Sequence, residues 1–398
     1  MKRIECYVEA SAFTTVTGSC GLIYGGLDLD LHFEGKIMTL DFSKPTNYGH
    51  RKMFLDPAGS VTIQRYDDYA YPKLAQFTKT QRGNFWIPDE VSLTKDKIDF
   101  SKANDATKFI FTSNLLRQTA LDSIQGRAPV QIFTPVCSVP EAEAWVQWWS
   151  AFEQIHSESY SHIIRNIYQM PSEQFNQIHD TSEIVNMLSG IDKYYADLHH
   201  LNSLVETGAE VSETKLVKAV YMALIASYGL EAIRFMVSFC TSLGMVENRI
   251  FVGNGNIISL ILADELLHTD ATAWMINQNV KDDYRFKEMA FECAKEAKDM
   301  LESVVDEEKS WAHYQFQKGT VLGMNEKIMC TQVDYTAQER FKVIGIKYDA
   351  GIKTAPLPWM GKHLNTNKIQ SALQENESTS YVISSMSNKI DYESLPSI

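Results

Sequence analysis

The sequence is poor in cysteine, and its six cysteines are scattered. Cys6, Cys20, Cys137, Cys240, Cys293 and Cys330 make no Cys-x-x-Cys pair, which argues against structural zinc and against a disulfide framework. Free thiols in a reducing cytoplasm are the simplest reading. No run of about 18 uninterrupted apolar residues occurs, so no membrane span is expected. The start, Met1-Lys-Arg-Ile-Glu-Cys-Tyr-Val-Glu9, has the charges of a leader but no apolar segment behind them. Positive charge is in short supply: 37 Lys and Arg face 50 Asp and Glu, for a net charge of −13. Nucleic acid and an anionic membrane surface are therefore poor candidates as partners. A P-loop and a Gly-rich dinucleotide fingerprint are also missing.

What is present is an ordinary globular composition, 44% hydrophobic and 22% charged over 398 residues, enough for a large domain with appendages. Residues 1–50 alternate apolar and polar positions, as in Leu27-Asp-Leu-Asp-Leu-His-Phe33 and Lys36-Ile-Met-Thr-Leu-Asp-Phe42. That period predicts a small β-like extension turning at Gly25-Gly26, of unknown function. Residues 51–360 read as an all-α domain. Helical spacing covers Tyr69–Gln81, Asp105–Ile124, Pro140–Tyr168, Ser182–Glu206, Glu213–Leu243, Asn256–Ile276, Phe286–Trp311 and Asn325–Ile344. Asp105 is a candidate N-cap, and Pro140 suits a first helical turn. Residues 361–398 are rich in Asn, Ser, Gln and Glu and read as a flexible tail that keeps a few apolar anchors, as a docking peptide would.

One short pattern occurs twice in the helical part, as Glu153-Gln-Ile-His156 and Glu265-Leu-Leu-His268. Residues i and i+3 share a helix face, so each carboxylate and imidazole can reach one point. A single copy is weak, because Glu and His are common on solvated faces. Both copies sit among apolar residues, where a carboxylate is costly unless paired or metal-bound. Asp122 and Glu231 lie in similar settings on two other predicted helices. Four carboxylates and two imidazoles from four helices make a binuclear site, and hard oxygen ligands suit Fe or Mn better than Zn. Tyr160 follows His156 by four residues on the same face; it could lie near the metals or be an ordinary core tyrosine. Phe235, Phe239 and Ile261 fall at helical spacing from Glu231 and Glu265, and could wall a pocket or simply fill the core.

Longer stretches are more specific. Leu121-Asp-Ser-Ile-Gln-Gly-Arg127, Ile155-His-Ser-Glu-Ser-Tyr-Ser-His-Ile-Ile-Arg165, Leu230-Glu-Ala-Ile-Arg-Phe235 with Val237-Ser-Phe239, and Asp264-Glu-Leu-Leu-His268 resemble the radical-generating small subunit of class I ribonucleotide reductase, in its diiron-tyrosyl branch. The likeness runs from about Met53 to the C-terminus. It implies a ferritin-like four-helix bundle with extra helices, two iron ions held by Asp122, Glu153, His156, Glu231, Glu265 and His268, and manganese as the other metal to consider. It implies a stable tyrosyl radical at Tyr160, made with dioxygen and shielded by Phe235, Phe239 and Ile261. It implies electron transfer through Trp86 and Asp264, with His156, and onward through the tail residue Tyr381. The partners implied are a second copy of the chain and a large catalytic subunit that docks the C-terminal tail and reduces ribonucleoside diphosphates. Glu158 stands where such chains often carry a basic residue, and Ala263 where an Arg commonly precedes the Asp-Glu pair. Another ferritin-like diiron oxidase, such as a desaturase or monooxygenase component, is the alternative; an iron-storage bundle is a weaker one.

Overall fold

The computed structural model describes residues 50–60 and 63–364. Residues 1–49 of the expected β-like extension, its Gly25-Gly26 turn, and residues 365–398 of the tail, Tyr381 included, lie outside the described residues. Fourteen α-helices follow in order: α1 (Pro72–Gly83), α2 (Thr94–Lys102), α3 (Asp105–Gln125), α4 (Ala128–Phe133), α5 (Pro140–Ile167), α6 (Pro171–Asp180), α7 (Ser182–Glu206), α8 (Glu213–Gly229), α9 (Met236–Glu247), α10 (Val252–Asp282), α11 (Tyr284–Glu292), α12 (Ala294–Phe316), α13 (Glu326–Val343) and α14 (Met360–His363). A π-helical turn, Leu230–Arg234, joins α8 to α9. Among the described residues there are isolated bridges but no strands, so the all-α class holds. Helices α3, α5, α10 and the α8–π–α9 rod surround the centre as a ferritin-like bundle; α3 packs along α5, and α10 along both α8 and α9.

Local chemistry explains most helix starts. Pro72, Pro140 and Pro171 open α1, α5 and α6, where a missing N–H costs nothing. The N-cap of α3 is Asn104, whose Oδ1 accepts from Thr107 N–H at 2.8 Å; Asp105, the residue expected there, is the first helical residue instead. The predicted helix Phe286–Trp311 is two helices, broken at Cys293. The helix expected over Asn256–Ile276 is longer at both ends. Its start is fixed from outside: the buried Asp96 of α2 accepts from Gly253 N–H at 2.9 Å and Asn254 N–H at 2.7 Å. Such a cap cannot be read from the helix's own sequence, which offers no capping side chain before Val252.

The rod Glu213–Glu247 extends the helix expected over Glu213–Leu243 by four residues. It is long and apolar enough to cross a membrane, with a mean hydropathy of 1.5 over its most apolar window, yet 94% of that window is buried in the protein. Its polar neighbours are supplied by other helices rather than by its own sequence. Gly229, just before the π-turn, lets α12 close in: a Cβ there would lie 2.9 Å from Leu301 Cδ2.

Asp96→Ala should remove the side-chain acceptor for Gly253 and Asn254 at the start of α10 and lower stability by about 1–2 kcal/mol. Urea unfolding followed by circular dichroism tests this; an unchanged midpoint would show that α10 needs no external cap.

Candidate metal centre

Each Glu-x-x-His pair sits on the inward face of a bundle helix, the first on α5 and the second on α10. Asp122 lies on α3, and Glu231 on the π-turn. All six side chains are buried, at 0–4% exposure. They form two groups whose ligand atoms lie within 4.8 Å of one another: Asp122, Glu153, His156 and Glu265, and Glu153, Glu231, Glu265 and His268. Glu153 and Glu265 belong to both groups, so the six residues could hold two neighbouring ions.

The contacts inside the cluster are those of ligands around a cation. His156 Nδ1 lies 3.1 Å from Glu265 Oε1 and 3.4 Å from Glu153 Oε2. His268 Nδ1 lies 2.9 Å from Glu153 Oε1, 3.4 Å from Glu265 Oε2 and 3.6 Å from Glu231 Oε2. Both Asp122 oxygens, both Glu265 oxygens, one oxygen each of Glu153 and Glu231, and the Nδ1 atoms of both histidines make no hydrogen bond. Buried polar atoms without partners are costly. Here they converge on the places two divalent ions would occupy, so the residues fit the metals that the donor set suggests.

Electrostatics point the same way. Burial first, and then the charges of Glu153 and Glu265, push the Asp122 carboxyl well above its ordinary pKa. Burial, then Glu265 and Glu153, do the same to Glu231. Glu265 goes the other way: burial opposes ionisation, but the close approach of Glu231, His156 and His268 holds its pKa below the ordinary value. Burial would lower both histidines, yet the surrounding carboxylates, Asp264 first for His156 and Glu153 first for His268, hold them well above normal. Without metal, these shifts favour protons on Asp122, Glu231 and the two imidazoles.

A second layer of residues orients the ligands, and sequence reasoning missed most of it. Trp149 Nε1–H donates to Glu153 Oε1 at 3.1 Å and to Glu231 Oε1 at 3.0 Å. Gln125 donates to Glu231 Oε1 and accepts from Tyr195 at 3.0 Å. On the opposite side, Asp264 takes Trp86 Nε1–H at 2.8 Å, Gln81 Nε2–H at 2.9 Å and His156 Nε2 at 3.2 Å. The Trp86 and His156 rings stack 6.3 Å apart. This Asp264 contact leaves His156 Nδ1 to face the cluster.

Tyr160 is fully buried on α5. Burial first, and then Asp122, push its phenol well above the ordinary range, and the hydroxyl has no hydrogen-bond partner. Phe235, Phe239 and Ile261 are buried in the same core as Tyr160, the two phenyl rings stacked at 5.6 Å. Glu158 lies in an open cleft of about 570 Å³ that is lined by Asp122, Gly126, Arg127, Ser157 and Arg165 as well.

The profile of the ribonucleotide reductase small chain matches residues 65–349. The chain belongs to the ribonucleotide reductase small-chain family. It is 39% identical over 343 residues to the ribonucleoside-diphosphate reductase subunit beta of Buchnera aphidicola from Acyrthosiphon pisum, covering 83% of this chain and 91% of that one. It is 37% identical over 348 residues to ribonucleoside-diphosphate reductase 1 subunit beta of Escherichia coli O157:H7, covering 84% and 93%. With the subunit beta of Enterobacteria phage T4 it shares 33% over 374 residues, 88% and 96% of the two chains. The fold is similar to that of the R2 subunit from Clostridium botulinum, with a TM-score of 0.72 at 20% identity over 83% of this chain and 99% of that chain. It is also similar to the dimanganese(II) protein of Streptococcus sanguinis, with a TM-score of 0.60 at 17% identity over 73% and 94%.

As a ribonucleotide reductase small chain, the protein is the oxidoreductase subunit of that enzyme, and its buried carboxylate-histidine cluster is compatible with a dinuclear metal site. The second-layer residues Gln125, Trp149 and Gln81 carried a readable signal: each is a hydrogen-bonding side chain on an otherwise buried helix face, the kind that must find a partner.

Loading the apo protein with Mn(II) should fill two sites per chain and release protons at neutral pH, because the metals displace protons from groups whose pKa values are raised. Affinity should therefore rise with pH. Calorimetry in buffers of different ionisation enthalpy tests this; binding without proton release would contradict the charge balance described.

Proposed function

We propose that this small chain binds two iron ions at the cluster and uses dioxygen to make a stable tyrosyl radical at Tyr160. The observation that carries the reading is the pair of four-residue groups sharing Glu153 and Glu265, with a sealed tyrosine beside Asp122. In this reading Asp122, Glu153, His156, Glu231, Glu265 and His268 are the ligands, and manganese is the alternative metal. Bound iron would supply the one-electron oxidising power that an unaided phenol lacks.

The protein's own residues do the rest. Burial disfavours the phenolate of Tyr160, so its proton and electron leave together and a neutral radical remains. Asp122 is the carboxylate the phenol feels most strongly, and so the group best placed to receive that proton. Phe235, Phe239 and Ile261 keep water and reductants away. Asp264 holds Trp86 and His156 through one carboxylate, which supports an electron route from Trp86 to the cluster. That route distinguishes this reading from the desaturase or monooxygenase alternative, which has no use for it.

Beyond the cluster, the family role supports a homodimer that works with a large catalytic subunit in the cytoplasm. Tyr381 and the residues up to Ile398 would carry the oxidising equivalent and dock that partner, with residues 51–360 as the metal-bearing domain and 1–50 as an appendage. The large subunit would hold the ribonucleoside diphosphate and replace its 2′-hydroxyl.

Aerobic reconstitution with Fe(II) should give a tyrosyl radical by electron paramagnetic resonance. Tyr160→Phe should abolish the signal while leaving two metals bound; a radical persisting in that variant would move the site elsewhere. Removing residues 365–398 should leave the radical intact and reduce turnover with the large subunit by at least about a hundredfold, the loss expected when a docking segment of several kcal/mol is removed. Turnover unchanged by that truncation would refute the tail's docking role.

A further inference from the structure

A second buried charged cluster lies beside the metal centre. Arg117 of α3 and Glu308 of α12 form an ion pair with both side chains fully buried. The guanidinium is enclosed: Nη1 donates to Ser238 Oγ at 3.1 Å, Nε and Nη2 approach Met187 Sδ at 3.2 Å, and the group lies 5.0 Å over the Trp311 ring. The other Glu308 oxygen, Oε2, accepts the backbone N–H of Val237 at 3.0 Å. A parallel tie sits one residue earlier, where Arg234 pairs with Glu307 and donates to the Met187 carbonyl at 2.9 Å.

A buried ion pair is weak evidence for stability, because apolar side chains of similar volume often serve as well or better. Burial, and then the nearby charge of Arg234, work against the charged form of Arg117. What apolar side chains cannot do is accept a backbone hydrogen bond. Val237 sits in the first turn after the π-helix Leu230–Arg234. A π-turn carries one residue more than an α-turn, and it disturbs the hydrogen-bond ladder where it ends. An acceptor from a neighbouring helix at that point favours the π register over its relaxation to α. Relaxation would turn everything before the bulge by about 100° relative to everything after it, one residue of an α-helix. Glu231 lies in the π-turn itself, and Phe239 lies after it.

We propose that Glu308, held by Arg117, is a positioning residue that fixes the π register and thereby the orientation of the Glu231 carboxylate. The pair ties α3, five residues before Asp122, to the rod that presents Glu231. It acts through the Val237 N–H and touches no ligand. This rests on the metal-centre reading of Glu231.

The test is Mn(II) binding to the full chain, followed by the electron paramagnetic resonance of free Mn(II), together with thermal unfolding. The double variant Arg117→Met with Glu308→Leu removes the charges and the acceptor together. Its thermal midpoint should stay near that of the wild type, while its weaker Mn(II) site loses about tenfold or more in affinity, the scale seen when ligand-orienting groups are removed. Two Mn(II) sites of unchanged affinity in that folded variant overturn the proposal. If the double variant does not fold, Arg117→Met with Glu308→Gln decides: it removes both charges and keeps one acceptor oxygen for the Val237 N–H. Retained Mn(II) affinity with a lowered thermal midpoint supports positioning; affinity lost in step with stability overturns it. A wild-type chain that binds fewer than two Mn(II) refutes the metal-centre reading, and the positioning role with it.

Discussion

Four carboxylates buried in two overlapping groups in the bundle core repel their neighbours, and much else at the centre of this protein answers that repulsion. Asp122, Glu153, Glu231 and Glu265 are all buried, and two of them are shared between the two ligand groups. Two divalent ions would neutralise four carboxylates; without them, the raised pKa values of the histidines, Asp122 and Glu231 favour protons in their place. The shape of the bundle follows from this. Each ligand comes from a different turn of the α3, α5, π and α10 segments, and the surrounding donors Trp149, Gln125 and His156 itself are fixed by hydrogen bonds to Glu231, Glu153 and Asp264.

Much of this was legible in the chain because it depends on spacing within a helix. The two Glu-x-x-His pairs, Tyr160 one turn beyond His156, and the span of α7 at Ser182–Glu206 follow from helical periodicity alone. What escaped depends on tertiary contacts. The π-turn at Leu230–Arg234 lies inside an apolar run with nothing in its residues to mark it; its local acceptor, Glu308, is more than seventy residues away. The start of α10 is capped by Asp96 from another helix. Asn104 rather than Asp105 caps α3, because either residue is a good cap and only the backbone decides.

The rod Glu213–Glu247 shows how the two levels interact. Its sequence is apolar enough for a membrane, and burial in the protein is what makes that composition useful. An almost uniformly apolar rod has little of its own to fix its rotation. Polar groups from α3, α5 and α12 supply that information: Gln125 and Trp149 hold Glu231, and Glu308 holds the turn after it. A rigid carboxylate site therefore rests on hydrogen bonds from outside the helix that carries the ligand, at the cost of burying Arg117 and Glu308. Natural proteins commonly accept such costs at functional sites.

Two metal ions would be held by the two ligand groups, Asp122, Glu153, His156 and Glu265, and Glu153, Glu231, Glu265 and His268, with Glu153 and Glu265 common to both. Anomalous diffraction from crystals of the Mn(II)-loaded chain tests this arrangement most directly. Two anomalous peaks about 3.5–4 Å apart, the usual separation in two-metal sites, with Glu153 and Glu265 between them, are the predicted result. A single peak, or two peaks that share neither glutamate, would contradict it.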